Sequence, residues 1–517
     1  MKESQTTKYY WGIGLENETY IQFQEPLIVS GKFIHEKVGR ERYSLDYTTY
    51  YKPGSLSLAL KTAFDKNKNY YISRMINSHS LEKLDLKFNH KTIAKKIETE
   101  APDNGSISIE TIENPDYLGK SILENFLEKQ PFNISSMITT KTNPMGSVCF
   151  DGDSIEFVTK YFENRTIEES CNELITTKNL FVDKINESEV LEEKLHFPEY
   201  NSGLNMFMSN QENIVLFNNG TYHFHITLPT LTQNSRIVDY DTFDKIHANA
   251  MYLLQWFQPL FIATLGSPDI MGVISQKFNL DKNYALGSMR NAMSRYIGVG
   301  TYNKVMPKGK ILTYKVDDFR ELLKFTKEEN IWWRDQIEND MEYNLLSDVG
   351  LDFNQEKMYQ SGFEFRSFDE FPISYLKDVL YSILLICEHS LHIDNVAWGH
   401  DSVVWNNLIF KSLKHGYTTE MNAEEKAEVL DLLQLTNLIE EDANLKSEFD
   451  AILLLDAFFF KILEVLHSKY KDNNVCINAM STQKRDTFSR WNNFNKYQIE
   501  QHKKQIEMVG LDAKILS

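Results

Sequence analysis

Apolar and polar residues alternate along several segments of the chain, which is the pattern of β-strands with one buried face. In the segment 10–28, apolar side chains take odd positions, whereas acidic and small side chains take even positions. The segments 106–112 and 148–158 and the stretches around His225 and Glu364 have the same character. We therefore predict strands at all of these places.

Apolar residues at helical spacing predict helices between and after the strands. The predicted helices cover residues 167–176, 243–265, 288–297, 316–326 and 376–391. Pro259 lies inside the second of them and predicts a kink or a break into two helices. Beyond about residue 410 the pattern is helical alone, with predicted helices at 424–435, 450–467 and 483–508. Asn422 and Glu425 have the spacing of a helix capping box.

These elements predict an α+β fold, in which an antiparallel sheet is covered by helices and followed by an all-helical C-terminal region. We expect a catalytic domain over residues 1–410 and a helical region over residues 411–517. The segment 183–213 is charged and rich in Asn without clear periodicity, so we predict a surface insertion there. A chain of 517 residues is long enough for this organisation.

Charge and composition narrow the classes of partner. The formal net charge is -18 and no basic stripe is present, which argues against binding to nucleic acid or to anionic lipid. The segment 451–466 is apolar but interrupted by charged residues, and the amino terminus is polar, so neither a membrane span nor a signal peptide is predicted. The four cysteines are widely spaced, which favours a reducing, cytoplasmic setting.

Glu16 and Glu18 provide the first candidate chemistry. They lie two residues apart on a predicted strand, so both carboxylates point to the same side, opposite Ile13 and Leu15. Hard cations such as Mg²⁺ and Mn²⁺ prefer oxygen ligands, and a strand holds two of them rigidly. A solvent-facing acidic strand is the alternative interpretation, because such spacing is common.

His223 and His225 share one face of a later strand, and Phe224 and Ile226 face the opposite way. The pair could be zinc ligands, a metal or phosphate contact, or two ordinary polar residues. No third histidine or cysteine at suitable spacing completes a zinc signature. Acidic strands beside the histidines would favour the metal or phosphate role.

Glu364 and Arg366 also lie two residues apart on a predicted strand, so they share one face. The Glu364 carboxylate suits a metal ion, and the Arg366 guanidinium suits phosphate oxygens. A cross-strand salt bridge is the structural alternative. Two other strands contain a glutamate followed by a threonine, at Glu110 and at Glu156. At least one of these two strands is expected to be purely structural.

Ser288, Arg290 and Arg295 lie at the start of a predicted helix that follows a loop. Guanidinium groups and free backbone N–H donors at such a place can bind a phosphate or a carboxylate. Arginines on the surface of a helix are the simpler explanation.

Taken in order, these motifs resemble those of the carboxylate–amine ligases of the glutamine synthetase fold, in particular the bacterial-type glutamate–cysteine ligase and amidoligase branch. The resemblance rests on Gly-Leu-Glu-Asn-Glu at 14–18, a Glu-containing strand, His-Phe-His at 223–225, Ser-Met-Arg at 288–290 and Glu-Phe-Arg at 364–366. It covers residues 9–400 in outline and implies a curved antiparallel sheet of the glutamine synthetase type.

The resemblance implies a reaction that uses ATP and Mg²⁺ or Mn²⁺. A carboxylate, such as the γ-carboxylate of glutamate, would be phosphorylated and then attacked by an amine. Glu16, Glu18, Glu364 and either Glu156 or Glu110 would hold the metal ions, with His223 beside them. Glu156 is favoured over Glu110, because a strand at 151–159 that is followed by a helix matches the family pattern more closely. Arg366 and Arg290 would stabilise the phosphoryl group, and His225 and Arg295 would contact the nucleotide. A guanidino-kinase-like phosphotransferase and a noncatalytic ATP-binding scaffold are the alternatives.

Overall fold

The computed structural model of the protein describes residues 7–19, 21–23, 27–29, 32–35, 43–46, 87–88, 137, 146–151, 154–187, 195–197, 220–233, 236–267, 287–288, 291, 353–354, 362–397, 399, 402–472, 474–481 and 500. Several predictions lie outside these residues, namely the strand with Glu110, the arginines Arg290 and Arg295, and the helices at 316–326 and, except for Glu500, 483–508. Of the helix at 288–297, Ser288 and Asn291 are described.

An antiparallel sheet forms the centre of the fold. Its spatial order is β12 (Phe353–Asn354), β13 (Phe363–Asp369), β10 (Thr221–Gln233), β1 (Thr7–Thr19), β8 (Ser154–Val158) and β7 (Val148–Asp151). β11 (Arg236–Ile237) pairs with β10. The predicted strand at 148–158 is therefore a pair of antiparallel strands.

Two smaller antiparallel sheets are also described. One has the order β6 (Lys87–Phe88), β2 (Ile21–Phe23) and β9 (Leu195–His196). The other has the order β3 (Leu27–Val29), β4 (Lys32–His35) and β5 (Tyr43–Asp46). The alternation that we noted over 10–28 thus belongs to separate strands in three sheets.

Helices cover the sheet and form the C-terminal region. They are α1 (Ile167–Asn186), α2 (Tyr240–Leu265), α3 (Leu376–Ser390), α4 (Val403–His415), α5 (Ala423–Leu432), α6 (Thr436–Glu440), α7 (Ala443–Ala451), α8 (Leu455–Tyr470) and α9 (Cys476–Met480). Short 3₁₀ turns occur at Ile373–Tyr375 and Gly416–Thr418. None of these helices is both long enough and apolar enough to cross a membrane.

Helix α2 shows how the surroundings of a helix can override a local breaking signal. Asp239 caps its first turn by accepting a hydrogen bond from the Thr242 backbone N–H at 3.1 Å. Pro259 lies inside the helix, yet the helix is continuous, so the predicted break does not occur. The residues around Pro259 are buried, and this packing holds the helix together where proline removes one hydrogen bond.

Helix α1 is longer than the sequence pattern suggested, because buried Phe181 and Val182 extend its apolar face beyond residue 176. The last residues of α1 lie within the segment 183–213 that we predicted as an insertion, and so does β9. The predicted capping box is present at the start of α5, where Asn422 and Glu425 accept each other's backbone N–H at 2.8 Å.

The main core lies between the sheet and helices α2 and α3. Phe261 of α2 packs against Phe365 and Phe368 of β13, with ring centroids 5.8 and 4.9 Å apart. The C-terminal helices join this core through Phe459 of α8. The ring centroid of Phe459 is 5.2 Å from that of Phe257 in α2. The mixed α and β content, the antiparallel sheet and the helical C-terminal region are therefore confirmed.

Candidate metal centre

The register of four adjacent strands gathers the predicted acidic and imidazole residues on one face. Glu16 of β1 is paired with His223 of β10, and His225 is paired with Glu364 of β13. On the other side of β1, Glu18 is paired with Glu156 of β8. Directly paired residues project to the same side of a sheet. Residues predicted from distant parts of the sequence therefore line a common surface.

The opposite face of the same strands is apolar, which explains why the chain folds this way locally. Ile13 and Leu15 alternate with the acidic residues of β1, and each is at most 1% exposed. Phe224 and Ile226 take the equivalent positions in β10 and are buried to the same degree. A shift of one residue in register would expose these side chains and bury the charged ones. Burial of the apolar face thus holds the polar groups in place.

Glu16 contacts both histidines. Its Oε1 lies 2.6 Å from His225 Nε2, and its Oε2 lies 3.0 Å from His223 Nδ1. His223 Nδ1 is also 3.1 Å from Glu364 Oε1. Ionised carboxylates only accept hydrogen bonds, so His223 carries its proton on Nδ1 and shares it between the two glutamates.

One group of residues has the size and chemistry of a metal site. Ligand atoms of Glu16, His225 and Glu364 all lie within 4.8 Å of one another. An octahedral ion with ligands at about 2.1 Å separates them by roughly 3 to 4 Å, so small side-chain rotations would close the group around an ion. Two carboxylates and one imidazole suit Mn²⁺ well and are compatible with Mg²⁺.

His223 provides a further observation in favour of a bound cation. Its side chain is 2% exposed, and its Nε2 has no hydrogen-bond partner among the described residues. Glu18 Oε1 lies 3.9 Å from this atom. A buried nitrogen without a partner is costly, and a metal ion between this nitrogen and Glu18 would remove that cost.

Opposing effects act on the pKa values of the ionisable groups in the cluster. Burial raises the pKa of Glu364, but the Arg366 charge and the two histidines outweigh burial and leave the pKa well below its usual range. Burial and Arg366 lower the pKa of His223, but its contacts with Glu16, Glu18 and Glu364 raise the pKa above its usual 6.5 overall. A site that favours ionised carboxylates is prepared for a cation.

Arg366 occupies an irregularity in the sheet. Between the pairs Tyr222–Phe368 and Phe224–Phe365, β13 has one more residue than β10, which is a β-bulge. The bulge keeps Phe365 and Phe368 in the core and leaves Arg366 beside Glu364, with Nη1 at 3.8 Å from Oε1. The Arg366 side chain is partly exposed, so its guanidinium is accessible to a phosphate at the edge of the cluster.

Asp369, at the end of β13, connects this sheet to the segment that precedes Arg290. Its Oδ2 accepts hydrogen bonds from the Ser267 backbone N–H at 2.7 Å and from Ser288 Oγ at 2.6 Å. Gly287 must be glycine, since a Cβ atom there would lie 2.0 Å from the Ser412 carbonyl oxygen. Ser288 is thus held at the end of β13, a contact that the sequence alone did not predict.

The structure brings together most of the predicted site residues that it describes. Glu16, His223, His225, Glu364 and Arg366 form one connected network, in which the glutamates contact the histidines and Arg366 contacts Glu364. Glu18 and Glu156 are adjacent on the same face by register. The sequence reasoning missed Lys178, which is buried behind the sheet, because one basic residue in an amphipathic helix gives no signal of its position in the core.

Comparison with known proteins finds a viral relative of the chain. No protein-family model matches the sequence. The chain is 32% identical over 498 residues to "Uncharacterized protein R704" of Acanthamoeba polyphaga mimivirus, and the match covers 95% of this chain and 80% of the mimivirus protein. A match of this extent shows common descent over nearly the whole chain. The chain therefore belongs to the protein family of mimivirus R704.

Proposed function

We propose that the protein is a carboxylate–amine ligase of the glutamine synthetase type, which uses ATP and a divalent metal ion to join a carboxylate to an amine. The observation that carries the proposal is the cluster of Glu16, His225 and Glu364, whose ligand atoms lie within 4.8 Å of one another, with Arg366 beside it. The sequence resemblance to the glutamate–cysteine ligase and amidoligase branch supplies the class of reaction.

The donor atoms fit the metal that this chemistry requires. Glu16 and Glu364 offer carboxylate oxygens, and His225 offers one imidazole nitrogen. Glu18 and Glu156, adjacent on the same face, would hold a second ion together with His223 Nε2. Bound Mg²⁺ or Mn²⁺ would neutralise the phosphate oxygens of ATP and align them for phosphoryl transfer. The imidazole donors favour Mn²⁺ over Mg²⁺.

The reaction would take place in two steps. A carboxylate oxygen of the substrate attacks the γ-phosphorus of ATP, the bond to the β-phosphate oxygen breaks, and ADP leaves. The amine then attacks the carbonyl carbon of the acyl-phosphate, the amide bond forms, and phosphate leaves while the amine loses a proton. Arg366 would stabilise the negative charge on the phosphoryl group, and His223 would hold Glu16 and Glu364 in place through its shared proton.

The test is an assay of ADP and phosphate release by the full chain with Mg²⁺-ATP or Mn²⁺-ATP and L-glutamate. Amine acceptors are added as pools of amino acids, polyamines and small peptides, and products are identified by mass spectrometry. We expect phosphate release that depends on an acceptor, and a product that corresponds to one condensation.

Three other results would contradict the ligase. ADP formation with a stable phosphorylated acceptor would identify a phosphotransferase. Metal-dependent ATP binding without turnover on any carboxylate and amine tested would identify a noncatalytic nucleotide-binding protein. If the protein bound neither Mn²⁺ nor ATP, both the metal centre and the ligase would be ruled out.

A further inference from the structure

A buried polar network lies on the side of the sheet opposite the candidate metal centre. Its centre is Lys178 of α1, which is 3% exposed. The Lys178 Nζ donates a hydrogen bond to Asn17 Oδ1 and lies 3.4 Å from Glu370 Oε1. Thr19 Oγ1 donates to the same Glu370 oxygen at 2.6 Å. The network therefore joins α1, β1 and the residue that follows β13.

The surroundings of this network are apolar, which makes the charges expensive. The Lys178 Nζ is 4.4 Å from the ring centroid of Phe197 and 5.7 Å from that of Tyr222. Charges buried in such a place require good partners, and a well-packed apolar pair often stabilises a fold as much or more. A contribution to stability therefore does not explain why a lysine is buried here. The position of the network suggests a different role.

The network and the metal centre connect the same two strands on opposite faces of the sheet. β10 separates β1 from β13. In front of β10, Glu16 of β1 and Glu364 of β13 converge on His223. Behind β10, Asn17 and Thr19 of β1 are linked to Glu370 directly or through Lys178.

Asn17 transmits this rear connection directly to the acidic positions. It lies between Glu16 and Glu18 in the chain, and its Nδ2 donates to the Thr221 carbonyl oxygen of β10 at 3.0 Å. Any displacement of Asn17 moves the backbone of both glutamates. Ligand spacing in a metal site must be held within about 0.5 Å, and groups behind the ligands usually provide that precision.

We propose that Lys178 and Glu370 are positioning residues that act as a rear clamp, which sets the spacing of β1 and β13 and thereby the distance between the carboxylates of Glu16 and Glu364. The role of the clamp in metal binding rests on the proposed function, whereas its effect on the two strands does not. The clamp explains why a charged pair is buried at this point of the core.

The test compares Lys178→Met with a matched control, Lys426→Met, in the full chain. Lys426 of α5 donates to the carbonyl oxygens of Phe449, Asp450 and Ile452 at 3.1 to 3.2 Å, so its loss also removes several lysine hydrogen bonds, but within the C-terminal helices. A second variant, Lys178→Met with Glu370→Gln, removes both charges and avoids leaving one unpaired. Mn²⁺ binding is measured by electron paramagnetic resonance, and backbone mobility by hydrogen–deuterium exchange.

We expect both Lys178 variants to bind Mn²⁺ about tenfold more weakly than the wild type, as is usual when groups behind metal ligands are removed. Without metal, we expect faster exchange in peptides from β1 and β13, and no such changes in Lys426→Met. Wild-type affinity in the double variant would overturn the role of the clamp in metal binding. If the wild type binds no Mn²⁺, the proposed function fails, and unchanged exchange in the Lys178 variants would separately overturn the clamp.

Discussion

The buried ionisable groups of the candidate metal centre and those between α3 and the C-terminal helices differ in their partners. Where α3 packs against the C-terminal helices, Glu388 of α3 accepts hydrogen bonds from the Val475 and Cys476 backbone N–H groups and contacts His392 Nε2 at 3.0 Å. His389 Nδ1 is 2.7 Å from the Tyr470 hydroxyl, and His389 Nε2 is 2.8 Å from the Leu433 carbonyl oxygen. Each of these groups has separate partners that suit it.

The candidate metal centre is arranged differently. Glu16 and Glu364 share one proton on His223 Nδ1, and His223 Nε2 has no hydrogen-bond partner among the described residues. The pKa of His223 is raised, whereas burial lowers the pKa of His389 to about 4. Burial alone therefore does not mark a functional group. Several carboxylates that converge on one imidazole proton mark one, because a cation can bind among them.

The largest effect should come from Glu364→Gln, which removes one ligand charge and keeps the shape of the side chain. We expect Mn²⁺ affinity and metal-dependent turnover to fall by about 100-fold or more. The matched control is Glu425→Gln, since Glu425 is 4% exposed and pairs with Lys411 in the C-terminal region. Equal losses in both variants would show that the two regions do not differ as we infer.

Glu388→Gln should lower the stability of the fold without weakening Mn²⁺ binding, in contrast to Glu364→Gln. The amide would place an N–H group against the backbone donors of α9, so we expect the free energy of unfolding to fall by about 3 kcal/mol. Mn²⁺ affinity should be unchanged, because Glu388 is outside the metal centre. Urea denaturation and Mn²⁺ titration of the same sample test both statements, and weakened Mn²⁺ binding at full stability would contradict them.

Acid should destabilise the packing of α3 against the C-terminal helices through His389. The pKa of this buried histidine is lowered from 6.5 to about 4, mainly by burial, so its neutral form stabilises the fold above pH 6.5 and that contribution is lost as the pH falls towards 4. At about 1.4 kcal/mol per pKa unit, the wild type should lose roughly 2 kcal/mol more than His389→Gln between pH 7 and pH 5. Equal losses of unfolding free energy in the wild type and in His389→Gln would show that His389 does not contribute to the acid sensitivity.

The smallest effect should come from Asn422→Ala, which removes one half of the capping box of α5. Loss of this cap should lower the free energy of unfolding by about 1 kcal/mol. Thermal or urea denaturation measures the change. Since the cap is on the surface of the helical region, Mn²⁺ binding should stay the same, and a change in affinity would connect the two regions in a way that the structure does not suggest.

Much of the site was predictable because strand side chains alternate with a period of two. The sequence placed Glu16 and Glu18 opposite Ile13 and Leu15, and the structure confirms that arrangement. The same reasoning held for the histidines of β10 and for Glu364 and Arg366 of β13. The bulge in β13 was not predictable, because the alternation changes only after Arg366 and the partner strand was unknown.

The sequence by itself determined which face of each strand is polar and where most of the described helices lie, because apolar spacing follows the geometry of a single element. Only the tertiary structure decided that β13, β10, β1 and β8 are neighbours in that order, which brings Glu364, Glu16 and Glu156 to one surface. It also decided that Lys178 lies behind that surface and that α2 continues through Pro259. Strand order, register and burial depend on contacts between residues that are far apart in the chain, and no local pattern contains them.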